Sequence, residues 1–419
     1  MSVNKLCYFT YIYKESCEIM KKFWIPFGTA ILAAGVFWLT EDTSGEENKT
    51  ISYHTHKQTH EMNKELNEDL SRFYYDSGYN FTYPEDGVRG IYVTGHSAGG
   101  SRFEKLLDLT NSTDLNSMVI DIKDDFGNLT FRPGEEVDLP NIGKNMISDP
   151  QEMMDAMEEN EVYPIARIVV FKDTVLAEKR PDLSFRENGA IWKNGREEAF
   201  VNPYNKEVWE YNVKIAKEAA KMGFQEIQFD YVRFPEGFEN RDEELSYSRG
   251  EYGEEGSNVE QRVTAVTDFV NYAREELKQE FDIDVSVDIF GYSATLDQAP
   301  GIGQNFSKIS DNVDIISSMI YPSHWTPYFG IDKPDLHPYK LTKEYVNVEN
   351  EVLGELEHPP ESRPWIQDFT ARWLGSGNYQ TYGKEEVEDQ IKALNEGNID
   401  EFLLWNANNN YTEGVDYTP

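Results

Sequence analysis

The chain predicts an α/β fold: a (β/α)8 TIM-type barrel preceded by an N-terminal membrane segment and a linker. Three observations predict it. Eight short runs rich in apolar and β-branched residues recur from residue 90 onward, helical stripes separate them, and one unbroken apolar run stands near the N-terminus. Parallel strands buried on both faces read as continuous apolar runs, and strands alternating with helices argue for a βα repeat. The 419 residues suffice for a barrel of about 250 residues with an appendage.

Residues 1–40 form a signal or anchor segment. Met20-Lys21-Lys22 precedes an apolar run at 23–39 and then the acidic EDTSGEEN, so Met20 reads as the true start. Seventeen residues are enough for a short span. No clean small-x-small site follows the run, which favours an uncleaved anchor over a cleaved signal. Lysines on its N-terminal side place the rest of the chain outside the cytoplasm, on the cell surface or secreted. Residues 41–84 read as a polar linker with a helix near 61–74, where Met62, Leu66, Leu70 and Phe73 share one face.

The barrel is expected over residues 85–419. Its strands read as GIYVT (90–94), SMVIDI (117–122), YPIARIVVF (163–171) and EIQFDYV (226–232), then DVSVDIFG (284–291), DIISSMIY (314–321), RPWIQDF (363–369) and EFLLWNA (401–407). Between them, residues 205–222 carry a stripe of Val208, Tyr211, Ile215 and Ala219 that ends at Gly223, and 259–277 carry Val263, Val266, Val270 and Ala273. Only twelve residues follow residue 407, too few for a final helix, so helix 61–74 is expected to fill that slot beside strand one. A doubly wound open sheet is the structural alternative.

Composition bounds the function. There are 39 basic and 76 acidic residues, a formal charge of −37, which excludes a sequence-independent nucleic-acid binder and disfavours docking of the folded part on anionic lipid. The membrane is met through the N-terminal segment only. A soluble surface suited to salty or alkaline surroundings accounts for the excess; a cationic, amino-sugar polymer is the sharper alternative. The only cysteines, Cys7 and Cys17, precede the folded part, so it has neither a disulfide framework nor thiol catalysis. No cofactor is required and the oligomeric state is left open.

Strand alternation names the candidate site. With Ile227, Phe229 and Tyr231 facing helices, Gln228 and Asp230 turn into the barrel; with Val285, Val287 and Ile289 facing helices, Ser286 and Asp288 do the same, as does Asp121 in SMVIDI. Catalysis in such barrels sits at the C-terminal strand ends. Glycoside hydrolysis needs two carboxyls, one ionised and one holding a proton. Adjacent strands lie roughly 5 Å apart, which matches the ~5–5.5 Å carboxyl spacing of a retaining mechanism. Asp230 is the candidate nucleophile, with Arg233 beside it to favour its charged form, and Asp288, among apolar neighbours, is the candidate acid; Glu236 and Asp368 are alternatives for the acid. Asp121, Arg233, His324 and Asp368 are candidate substrate-orienting groups, and Tyr321, Trp325 and Trp192 are candidate sugar-stacking rings. Each of these also has a structural reading, as helix caps, ion pairs or core aromatics. The acidic, Gly-rich loop 236–258 reads as a lid or as disordered surface.

The segments YVTGHSAG, VIDIKDDFGNLTF, NPYNKEVWEYN, IQFDYVRFP, VDIFGY, MIYPSHW, PWIQDF and LLWNANNNYTEG, between about residues 88 and 414, together resemble a bacterial glycosyl hydrolase barrel family. The resemblance implies a TIM-type barrel, export, and kinship with α-amylase-like glycoside hydrolases. In those relatives an aspartate ending strand four is the nucleophile, which maps onto Asp230. Many carry a glutamate acid after strand five, where this chain has Asp288. The chitinase-type D-x-D-x-E is not met, because Gln228, Asp230 and Val232 occupy those places.

Two rivals stand beside this reading. GHSAG (95–99) fits the G-x-S-x-G nucleophile elbow of a serine esterase or deacetylase, with Ser97 as nucleophile. Its position after the first strand, with no oxyanion motif upstream, counts against it. The other is an inactive barrel that binds polysaccharide; it predicts the aromatics without the acid pair.

Overall fold

The computed structural model describes residues 74–133, 143–254 and 256–418. The expected anchor, the linker as far as residue 73 and nearly all of the helix near 61–74 lie outside the described residues. Among the described residues, no helix is long and apolar enough to cross a membrane.

All eight expected strands form, and they close a barrel. They are β1 (Arg89–Val93), β2 (Ser117–Lys123), β3 (Tyr163–Val169), β4 (Glu226–Asp230), β5 (Asp284–Phe290), β6 (Ile315–Met319), β7 (Trp365–Gln367) and β8 (Phe402–Trp405). Every neighbouring pair is parallel, β8 pairs with β1 (Arg89 beside Phe402), and β7 reaches β6 through Trp365 and Met319. The open-sheet alternative is thereby excluded, since no edge strand is left.

Helices cover the outside. These are α1 (Arg102–Asn111), α2 (Pro150–Glu159), α3 (Lys206–Lys221), α4 (Asn258–Lys278), α5 (Phe306–Ser310), α6 (Pro338–Gly354) and α7 (Lys384–Asn395). The start of α3 is set by the Asn205 side chain, which accepts from Glu207 N, and that of α4 by a reciprocal Ser257–Glu260 capping box. Helix α3 stops before Gly223 (φ 107°), where a Cβ would stand 2.4 Å from the Tyr79 ring. After β8 no helix forms among residues 406–418; Tyr411, Val415 and Tyr417 bury against the core instead.

The core has two shells. The larger lies between strands and helices and includes Ile120, Ile168, Phe229, Val266 and Val287. The smaller fills the barrel with Val88, Tyr92, Val119, Ile165, Trp365 and Leu403. Each such fully buried side chain contributes roughly 1.5–3 kcal/mol. Beneath the inner shell, at the N-terminal end, buried Arg363 pairs with Glu226 (2.7 Å) and Glu401 (2.7 Å). Tyr83 donates to Glu401 (2.5 Å) and accepts from Arg363 (2.9 Å), so the segment before β1 closes the floor.

The loop after β4 is neither a free lid nor disordered surface in its described part. Phe238 and Tyr247 pack with Phe185, and buried Asp242 pairs with Arg249 (2.7 Å) and Arg262 (2.6 Å). Its ordering follows from that small core of its own.

Candidate active site

Strand β4 ends at Asp230 because Tyr231 turns into the left-handed region (φ 53°), a conformation costing a non-glycine residue about 1–3 kcal/mol. The turn lays the Tyr231 ring against Lys172 (3.9 Å to the ring centre) and Arg233 (4.8 Å). Strand β5 runs on past the same height. Phe229 pairs with Val287, so the next position in register sets Asp230 beside Asp288. Both side chains are buried in the barrel interior, on neighbouring strands roughly 5 Å apart.

The two carboxyls have unlike surroundings. Asp230 Oδ2 accepts from Arg167 Nη2 (2.5 Å) and Nε (3.1 Å), and its Oδ1 accepts from Tyr231 N (2.5 Å). Asp288 Oδ1 accepts from the Trp365 indole N–H (2.7 Å). Burial, followed by the nearby charge of Asp230, pushes the Asp288 carboxyl well above the usual carboxylate range and so favours its protonated form.

Arg167 joins three acids. Its Nη1 donates to Asp121 (2.7 Å) and its Nη2 to Asp125 (2.9 Å) as well as to Asp230. The rings of Tyr92 and Trp405, stacked at 4.1 Å, lie beside its guanidinium at 5.4 and 5.5 Å. Tyr92 also donates to Asp121 (2.5 Å), whose carboxyl is pushed up to about 6 by burial against the opposing pull of Arg167. Burial works the same way on Asp125, but Arg167 and Lys172 outweigh it and hold that carboxyl below the ordinary range.

The other expected site residues divide. Tyr321 is buried in the barrel mouth, and burial together with the charges of Asp288 and Asp230 raises its phenol. His324 stands at the rim with its ring against Tyr321 (5.2 Å), and its Nδ1 lies 3.0 Å from Ser323 Oγ. Arg233 does not pair with Asp230: it donates to Phe234 O (3.1 Å) and Glu236 (3.2 Å), and Arg167 takes the expected place. Asp368 accepts from Thr412 N (2.9 Å) and Oγ1 (2.5 Å), held by the C-terminal segment rather than aimed at the axis. Trp325 packs against Tyr345 of α6 (5.9 Å), and Trp192 lies half-buried against the outer core. Asp173 caps the short helix Thr174–Lys179 and pairs with buried Lys123 (2.6 Å), a structural role.

Arg167, Tyr92, Lys172 and Trp405 were not singled out as site residues from the sequence. Tyr92, Arg167 and Trp405 signalled themselves only as polar or aromatic side chains within otherwise apolar strands, and Lys172, in the loop after β3, carried no such signal.

The GHSAG segment is a turn of helix, Gly95–Ala98, capped by Thr94. Ser97 Oγ accepts from Thr94 Oγ1 (3.1 Å). A Cβ at Gly99 would meet the Met146 carbonyl oxygen at 1.9 Å, so that glycine serves backbone approach. Ser101 precedes α1 without a side-chain cap bond.

The chain is thus a parallel eight-stranded barrel with an inward carboxyl pair at its C-terminal mouth. The chain belongs to the family described as "Putative glycosyl hydrolase domain", which matches residues 90–411. Among solved structures it is similar to a hypothetical protein from Ruminiclostridium thermocellum ATCC 27405, at 34% identity over 47% of this chain and 96% of that one, with a TM-score of 0.39. It is also similar to the PgaB (BpsB) glycoside hydrolase domain from Bordetella bronchiseptica, at 13% identity over 76% of this chain and 94% of that one, with a TM-score of 0.53, a likeness of fold. No protein of curated function matches the chain.

Proposed function

We propose that the protein cleaves O-glycosidic bonds of an extracellular or cell-envelope polysaccharide by a two-carboxylate, retaining mechanism. One observation carries the reading: Asp230 and Asp288 stand side by side at one height, the first against a guanidinium, the second buried so that its protonated form is favoured. Asp288 gives its proton to the glycosidic oxygen while Asp230 attacks the anomeric carbon, and the leaving sugar departs as an alcohol. The Asp288 carboxylate then takes a proton from water, whose oxygen displaces Asp230 and returns both residues to their starting state. Arg167 positions Asp230, and Tyr321 and His324 line the approach. Location outside the cytoplasm rests on the lysines preceding the apolar run at 23–39.

The test is release of reducing ends by the protein from α-glucans, amino-sugar polymers and peptidoglycan, with the anomer of the first product read by NMR. Release by wild type, loss in Asp230→Asn and a retained anomer support the mechanism. Release undiminished by Asp230→Asn overturns it, and an inverted first product overturns the retaining step.

A further inference from the structure

Five large hydrophobic side chains are exposed among the described residues, and four of them sit in loops at the C-terminal mouth. Phe126 (60% exposed) follows β2, Tyr292 (38%) and Leu296 (42%) follow β5, and Trp373 (48%) follows β7. Scattered singly, exposed apolar residues need no explanation, but a concentration around one opening does. The fifth, Tyr75 (47%), is bonded through its backbone N–H to Glu280 O, at the opposite end of the barrel.

Two of these rings, Trp373 and Tyr292, are held by stacking, and Phe126 sits on a backbone turn that is itself fixed. Trp373 stacks on Phe369 (5.7 Å, 23° between planes), and Phe369 meets the buried Tyr321 edge-on at 5.9 Å. An aromatic series thus runs outward from beside Asp288 to solvent, with His324 against both outer rings at 6.3 Å. In the β5 sector, Tyr292 stacks on Phe290 (5.5 Å, 24°), which lies beside the Arg233 guanidinium (4.7 Å). In the β2 sector, the Phe126 backbone N–H donates to Asp124 (2.9 Å), fixing the turn next to Asp125. Rings already ordered lose little freedom when something flat covers them.

We propose that Trp373, Tyr292 and Phe126 are sugar-stacking platforms in three sectors of the rim, so that the substrate is a polymer several sugars long and not a single glycoside. This rests on the carbohydrate reading above and deepens it. The apolar face of a pyranose fits an exposed ring, while hydroxyls at its edge are left to polar neighbours. The −37 charge of the chain repels a polyanion, so the polymer is neutral or carries amino groups.

Affinity electrophoresis of the Asp230→Asn protein, in gels cast with soluble starch, glycol chitosan or polygalacturonate, tests binding apart from cleavage. The expected result is retardation by starch or glycol chitosan but not by polygalacturonate. Adding Trp373→Ala, Tyr292→Ala or Phe126→Ala weakens it by about threefold to tenfold each, and Tyr75→Ala leaves it unchanged. Circular dichroism confirms that each variant is folded. Retardation by none of the polymers, or retardation indifferent to all three rim substitutions, overturns the proposal. Binding lost at the rim in a protein that cleaves nothing would uphold the platforms while sinking the hydrolytic reading.

Discussion

Trp365 donates its indole N–H to Asp288 at 2.7 Å, a bond that crosses the barrel interior from β7 to β5. It fixes the orientation of the carboxyl whose proton the proposed mechanism uses. Asp288→Asn keeps the shape and removes that proton. It is expected to slow cleavage of polysaccharide by about 10²–10⁴-fold. Aryl glycosides whose leaving group needs no protonation should suffer far less, and comparing the two substrate types in one assay checks this.

Activity is expected to fall on the alkaline side as pH rises through the elevated value of Asp288, since the ionised form cannot act as an acid. The bond from Trp365 pulls that value down somewhat, so Trp365→Phe should move the alkaline limb of kcat/KM to higher pH. A limb that moves down or stays fixed would remove Asp288 from the role.

Asp121 titrates differently in the folded and unfolded chain, at about 6 against an ordinary 3.8. Its native value is raised, so its contribution to stability is fully present below 3.8 and is lost as pH climbs toward about 6. Wild type should therefore lose stability relative to Asp121→Asn across that window, by up to about 3 kcal/mol. Denaturant titrations of both proteins at several pH values read the difference directly.

Arg167→Met leaves three acids without their shared cation. Breaking such a buried arrangement from one side costs about 3–5 kcal/mol. A second change, Asp121→Asn, should recover part of the loss, a non-additivity visible in a double-mutant cycle.

Ser97→Ala should leave glycoside release unchanged and cost at most about 1 kcal/mol, the worth of its bond with Thr94. Loss of an acetyl-esterase activity in this variant would instead revive the elbow reading.

Much of this was legible in the sequence because parallel strands buried on both faces announce themselves as apolar runs. Period-two alternation was enough to turn Asp230 and Asp288 inward. The same rule, applied two strands later at β7, argues against Asp368: Trp365 faces the interior, Gln367 shares its side, and the residue after them turns away. Arg167 was harder. In YPIARIVVF both faces are apolar, so alternation gives no phase; sequence proximity points to Arg233 as the partner of Asp230, whereas the partner lies across the β3–β4 pairing, where Arg167 is beside Gln228. The left-handed turn at Tyr231 had no signal, since tyrosine is not a residue that favours it.

The carbonyl of Tyr92 is held by Asn409 (2.8 Å), while Thr412 holds Asp368 and Phe402 lies in register with Arg89. The first strand and the closing stretch of this chain therefore depend on each other across some three hundred intervening residues. During synthesis, a nascent chain that has already made Asp230 and Asp288 still has an unsealed barrel and an unfinished mouth. The Asp230–Asp288 pair is therefore enclosed only once β8 has paired with β1.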